Sequence, residues 1–383
     1  MSFMFASRVA FRHLNEVNKC FFNHNLRRFV ATKPNERKTH NLKAALTGVA
    51  IGVLAGGGYS FYQKKEPDFS ANVRIVQNND RISSFPKVEI SRKIVVPNDA
   101  SGLEVTLFQY PTCPFCCKVR AFLDFYGISY DVVEVNPVLK QQMKWTDYKK
   151  VPIVLIKSGN KYLQFKDSTM IISGLATYFR DKHIGLDSIQ EYYPISQDSD
   201  NPKKIEIMNK YFVMDGQRTE KALERDKDER KWRKWADDVL VHMLSPNVYR
   251  TTDEALQAFN WFSEVGEWDK LFSGIERAFV IYVGAFVMWM IGKKLQKKYH
   301  LKEDVRQSLY DECNKLMKEL ETRGTPFLGG QEPNLADLAI YGILSSIEGC
   351  LAFRELLENT NIGSWFFKMK DAAQKHDGQK LLM

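Results

Sequence analysis

Tyr110-Pro-Thr-Cys-Pro-Phe-Cys-Cys117 is the stretch on which the reading of this chain turns. The alternating run Leu103 to Gln109 before it predicts a strand, and Lys118-Val-Arg-Ala-Phe-Leu-Asp-Phe-Tyr126 after it predicts a helix. A Cys-x-x-Cys at such a turn sets its first thiol, Cys113, over a helix N-terminus. Free backbone N–H groups and the helix dipole favour a thiolate there. Pro114 suits the first helical position, where no N–H is needed. Cys113, Tyr110 and Cys116 are therefore the candidate catalytic residues, while Cys117 is a further thiol on the helix.

Working outward, Ser129 to Val135 predicts a second strand, parallel to the first through a right-handed crossover. Asn136-Pro137 opens a short helix through Met143. Val151 to Ile156 and Lys161 to Phe165 are third and fourth strands about the turn Ser158-Gly159-Asn160. Asp167-Ser168 caps a last helix, Thr169 to Phe179. The β-α-β-α-β-β-α order over residues 101–180 is that of an α/β thioredoxin-like, glutaredoxin-like domain. It resembles thioredoxin-fold glutathione proteins, in which the Val-Pro bond is cis and pairs with the cysteinyl part of glutathione. The acidic-Ser cap holds the γ-glutamyl end. That resemblance implies glutathione as cofactor at Val151, Pro152, Asp167 and Ser168, although Asp-Ser is equally a plain helix cap. A Cys-x-x-Cys is also half a zinc site, but no second Cys/His pair lies at ligand spacing, so no metal is expected.

Residues 181–230 read as a polar linker or insertion, with one apolar patch, Ile205 to Met214, for a small hairpin. Residues 231–375 read as all-α. Trp232, Trp235, Val239 and Met243 fall at helical spacing, and Leu256, Phe259, Phe262 and Trp268 predict another amphipathic helix. Ala278 to Gly292 is apolar but short for a membrane span, so it is read as a core helix in which Tyr282 and Gly284 are packed. Lys293, Lys294, Lys297 and Lys298 form a solvated end. Pro326-Phe-Leu-Gly-Gly330 leads into Pro333-Asn-Leu-Ala-Asp-Leu-Ala339, where Asn334 and Asp337 form a capping box. This run resembles the buried helix of the glutathione-transferase C-terminal domain.

Composition bounds the possibilities. With 44% hydrophobic and 26% charged residues the 383-residue chain has room for two domains, a leader and a linker. Its six cysteines do not make a disulfide framework. The net charge of +9 does not mark a nucleic-acid face, because residues 1–40 hold eight Lys/Arg against Glu16 and Glu36. That basic, acid-poor stretch reads as a targeting leader of mitochondrial type. Residues 44–62 carry no charge and space Gly48, Gly52 and Gly56 by four, which predicts a single-pass membrane anchor. Residues 63–100 are a linker with room for one extra strand.

The chain resembles the membrane-associated type-2 prostaglandin E synthase family over roughly residues 104–370. The resemblance rests on Tyr110-x-Thr-Cys-Pro-Phe-Cys, Lys118-Val-Arg-Ala-Phe-Leu-Asp-Phe, Val133-Glu-Val-Asn-Pro137, Lys150-Val-Pro-Ile153, Asp167-Ser168, Lys231-Trp232, Trp235-Ala-Asp-Asp238, Leu244-Ser-Pro-Asn-Val-Tyr-Arg250 and Pro333 to Ala339. It implies glutathione binding, isomerisation of prostaglandin H2 to prostaglandin E2, a removable membrane-anchoring N-terminus and a homodimer. It also implies haem bound together with glutathione. The location it allows is a Golgi or other endomembrane, beside a cleaved cytosolic form, whereas the leader points to mitochondria. On this reading Cys113 is the thiolate and a Tyr110 hydroxyl donates to its sulfur; Phe115 and Tyr126 are candidates for an apolar lining, although a core role fits each better. Two rivals share the fold. One is a thiol–disulfide oxidoreductase in which Cys116 resolves a mixed disulfide at Cys113; the other is a non-enzymatic glutathione- or haem-binding membrane protein.

Overall fold

Three strands precede the Cys113 turn: β1 (Val73–Val76), β2 (Arg81–Ile82) and β3 (Arg92–Ile94). The computed structural model describes residues 73–382 apart from 78–79, 200, 202–204 and 215–218. The leader, the 44–62 anchor and Cys20 lie outside the described residues. The turn itself is framed by β4 (Val105–Gln109) and α1 (Pro114–Phe125), followed by β5 (Tyr130–Glu134), β6 (Ile153–Ser158), β7 (Lys161–Lys166) and α2 (Ser168–Arg180). The six-stranded sheet runs β2-β7-β6-β4-β5-β3, with β4 and β5 parallel and every other pair antiparallel.

The linker contributes more than one strand. β2 and β3 cover the two edges of the sheet, whose N–H and C=O groups would otherwise be open. Segments of two and three residues carry no legible period. The short helix expected from Asn136 to Met143 is mostly a turn. The Asn136 side chain accepts from the N–H groups of Val138 and Leu139, competing with a helical ladder, and only Gln141–Met143 forms a 3₁₀ turn.

After α2, the apolar patch Ile205 to Met214 supplies only β9 (Ile205–Ile207) and not a hairpin of its own; β9 pairs with β8 (Ile195–Asp198) upstream, and β1 joins the far side of β8 as an unforeseen third strand. The next helix, α3 (Glu220–Trp235), starts inside the stretch read as linker. Its first turns are charged all round, so no apolar stripe announces them, but Thr219 caps the start by accepting from Ala222 N–H. One π-helical turn, Ala236–Leu240, leads into α4 (Val241–Val248), α5 (Thr252–Val265), a single turn at Trp268–Leu271 and α6 (Gly274–Lys298). Four more helices complete the described chain: α7 (Val305–Arg323), α8 (Leu335–Ser345), α9 (Leu351–Asn359) and α10 (Ile362–Gln374).

The apolar helix α8 packs on α1, joining the two layers. Gly342 makes this possible: a Cβ there would lie 2.5 Å from the Lys118 Cα. The capping box is present. Asn334 accepts from Ala336 and Asp337 N–H groups, and the buried Asp337 carboxylate accepts from Leu328, Gly329, Asn334 and the Trp365 indole.

The apolar run at 278–292 belongs to one 25-residue helix rather than a short core element, so α6 is long and apolar enough to cross a membrane by length and composition. Gly284 is packed as expected, since a Cβ there would meet Phe259 at 2.3 Å. Tyr282 is not packed: it is 65% exposed. The run is apolar on all faces, so its sequence gives no direction to the core.

Candidate active site

Cys113 is the N-cap of α1, partly exposed, in the wall of a cavity of about 490 Å³. Its thiol pKa is held below the ordinary value first by a hydrogen bond with the Cys116 thiol. The backbone N–H groups of Cys116 and Phe115 and the Arg120 charge act the same way, against the cost of burial. Cys116 is fully buried, and burial followed by the Cys113 pairing pushes its pKa well up, so it stays a protonated donor. Tyr110 lines the cavity beside Cys113. The bond expected from its hydroxyl to the sulfur is not among the hydrogen bonds of the described residues. Burial, then the nearby Cys113 charge, keeps that hydroxyl protonated.

Cys117, the residue after Cys116, is tied down. Its sulfur accepts from Arg120 Nη2 at 3.0 Å and donates to the Pro111 carbonyl at 3.4 Å. Arg120 also donates to Pro111 O and Gln109 Oε1, each at 2.6 Å, and Gln109 donates on to Glu134. The turn thus rests on a hydrogen-bonded floor.

The expected glutathione-binding residues come together in the same cavity wall. The Val151–Pro152 bond is cis and both residues face the cavity. Asp167 caps α2 with Oδ1, accepting from Thr169 N–H at 2.9 Å and Met170 N–H at 3.3 Å. Ser168 opens that helix, and Lys210 Nζ lies 3.9 Å from Asp167 Oδ2. A helix N-terminus with a lysine beside it fits a ligand carboxylate, and the outer carboxylate oxygen of Asp167 fits an ammonium. Lys140, Lys149 and Lys150 add positive charge to the cavity lining, close enough that the Lys140 pKa is pushed down by burial and then by the other two.

One part of the site was invisible to sequence reasoning. Lys118, 1% exposed, donates to Asp237 Oδ1 at 2.5 Å and to Thr169 Oγ1 at 2.9 Å. Thr169 Oγ1 and the Tyr211 hydroxyl donate in turn to Asp237 Oδ2, at 2.6 and 3.1 Å. Asp237 comes from the π turn, a helix irregularity common at functional sites, and it lines the cavity with Thr169. Beyond this polar wall the cavity turns apolar between α4, α5 and α6, where Val241, Leu244, Phe259, Val280 and Met288 line it. Phe115 reaches the cavity, whereas Tyr126 takes the core role, tilted against Phe122 and stacked on Phe179.

Comparison with known proteins bears on this arrangement. A family model described as Glutaredoxin matches residues 105–159. The chain is 43% identical over 281 residues to prostaglandin E synthase 2 of Mus musculus, covering 72% of each chain. It is also 43% identical over 287 residues to prostaglandin E synthase 2 of Danio rerio, covering 72% of this chain and 74% of that one. Among solved structures, a glutathione transferase from Populus trichocarpa aligns with a TM-score of 0.39 at 14% identity, over 72% of this chain and 99% of that chain.

Proposed function

The chain belongs to the prostaglandin E synthase 2 family, and from that premise we propose that it isomerises prostaglandin H2 to prostaglandin E2 with Cys113 as the working thiolate. The observation that carries the proposal is the position of that thiol. It sits acidified on a helix N-terminus, in the wall of a cavity of about 490 Å³ that Val241, Leu244, Phe259, Val280 and Met288 also line, an apolar surface suited to lipid chains.

The Cys113 sulfur attacks the endoperoxide oxygen on the carbon that becomes the ketone. An S–O bond forms, the weak O–O bond breaks, and the released oxygen takes a proton from the Tyr110 hydroxyl, which burial keeps protonated. The tyrosinate then recovers a proton from the adjacent C–H. Those C–H electrons form C=O, the S–O pair returns to sulfur, and both side chains end as they began. Covalent catalysis of this kind divides one difficult step into two. The Cys116 thiol donates to Cys113 and makes the returning thiolate a better leaving group.

Val151, Pro152, Asp167 and Ser168 would hold glutathione, with Lys210 beside its carboxylate. Bound there, glutathione supplies a second thiol next to Cys113. The haem that the family resemblance implies would meet one imidazole of the cavity wall, His242, which stacks on Tyr299 at 4.2 Å. The thiol chemistry above does not use it. Attachment to a mitochondrial or Golgi membrane through residues 44–62, and a homodimer, belong to the same reading; the uncharged, glycine-spaced run supports the first.

The test is turnover of prostaglandin H2 by the full chain, with and without glutathione, with products separated. Prostaglandin E2 should form, and Cys113→Ser should bring it to the uncatalysed level. Full isomerase activity in Cys113→Ser, or fast reduction of a glutathionylated peptide with no prostaglandin E2, overturns the proposal.

A further inference from the structure

Helix α6 has two working faces. Val280, Gly284 and Met288 turn inward to the cavity. On the opposite side Ile275 is 81% exposed, Tyr282 65% and Phe286 52%, with Phe279 half-buried and Met290 exposed between the same turns. These five positions follow spacings of three and four residues and so form one stripe. The stripe continues into Lys293, which follows Ile275 by about five helical turns, and then into Lys297. No Asp or Glu occurs anywhere in residues 277–302. Among the described residues no ion pair reaches Lys293, Lys294 or Lys297.

An exposed apolar stripe of this length, rich in aromatic rings and ending in lysines, is not how a soluble helix meets water. We propose that the outer face of α6 docks on an anionic phospholipid surface, lying along it with Ile275, Tyr282, Phe286 and Met290 at the level of the acyl boundary and Lys293 and Lys297 among the headgroup phosphates. Charge selects this occupant. The one acid beside the stripe, Glu276, is engaged by the Ser273 N–H and hydroxyl in the capping box, so a second copy of the face brings no other acid to meet the lysines, and residues 1–40, with eight Lys/Arg against two Glu, carry the same sign. Anionic lipid supplies the missing counter-charge. The helix cannot use its length to span a bilayer without leaving its packing against α4 and α5. This docking is separate from any anchor at 44–62 and does not depend on the isomerase reading. It would hold the apolar wall of the cavity against the phase in which a lipid substrate dissolves.

The test must read α6 itself, because an anchor elsewhere would also bring the chain to vesicles. In the full chain, Phe286→p-benzoylphenylalanine is photolysed with phosphatidylcholine vesicles, with and without phosphatidylserine. The control is the same substitution at Leu223, which is 50% exposed on the charged helix α3. Lipid adducts at position 286, absent at 223 and enriched by phosphatidylserine, are the expected result. In the Phe286→p-benzoylphenylalanine chain, Lys293→Glu should lower the adduct yield about fivefold, as should Lys297→Glu. Both lysines are exposed, so the fold should be unaffected, as thermal melting will check. Chain-to-chain crosslinks at 286, crosslinks to residues 1–72, equal lipid adducts at both positions, or none at all each overturn the proposal.

Discussion

Lys118 and Arg306 are both buried cations paired with carboxylates, yet their surroundings differ in what they leave over. Arg306 donates to Glu254 at 2.7 Å, to Glu355 at 2.6 Å and to the Asn247 carbonyl at 2.6 Å, deep among α4, α5, α7 and α9. None of these partners touches the cavity. Lys118 donates to Asp237 and Thr169, both in the cavity wall, so its pair presents a carboxylate to whatever binds there. A buried ion pair is costly to assemble and damaging to break, so neither is informative merely by existing. The difference teaches that the helical layer spends one buried charge on its own architecture and lends the other to the site.

The largest effect should come from Arg306→Met, which removes the buried partner of the Glu254 and Glu355 carboxylates and leaves both to the more exposed Arg250. Urea unfolding should show a loss of about 3–5 kcal/mol, with prostaglandin turnover per folded molecule unchanged. Asp237→Asn should cost somewhat less, about 3 kcal/mol: it leaves the buried Lys118 ammonium without its counter-charge, although the amide oxygen can still accept from it. In contrast to Arg306→Met it should raise KM or lower kcat. A purely structural response would break the comparison. The paired change Lys118→Met with Asp237→Leu sharpens it further: stability should recover above that of Lys118→Met alone, while activity should not return.

A pH profile separates the regions without touching stability. Activity needs the Cys113 thiolate, whose pKa lies below the ordinary thiol value, so turnover should persist above that pKa and fall away as pH drops through it. Cys116→Ala removes the main cause of the depression and should move this limb to higher pH. Arg306→Met should leave it in place. The smallest effect should be that of Cys117→Ser, which keeps an acceptor for Arg120 and a donor for Pro111, at under about 1 kcal/mol with normal turnover.

What was legible in the sequence was what is local. The strand, Cys-x-x-Cys turn and helix around Cys113 lie within about two dozen residues, and the Asn334–Asp337 box is a matter of three. Val151, Pro152, Asp167 and Ser168 could be picked out because strand entry and helix capping each leave a signature. Lys118 had none. It reads as any helix lysine until a partner 119 residues away arrives, and that partner sits on a π turn which no period announces. Of the edge strands, β3 falls where the linker was allowed one extra strand, while the two residues of β2 were too few to read. Tyr282 was placed inward because hydrophobicity measures how much a residue avoids water, not which way it points.

The floor beneath the turn has a practical consequence. Of the five cysteines described, Cys116, Cys117, Cys313 and Cys350 are buried and Cys113 alone is partly exposed. In a Cys20→Ser chain, a mild alkylating reagent small enough to enter the cavity should therefore stop at one equivalent per molecule. The burst of label taken up by a preparation would then count its intact sites directly, before any substrate is added.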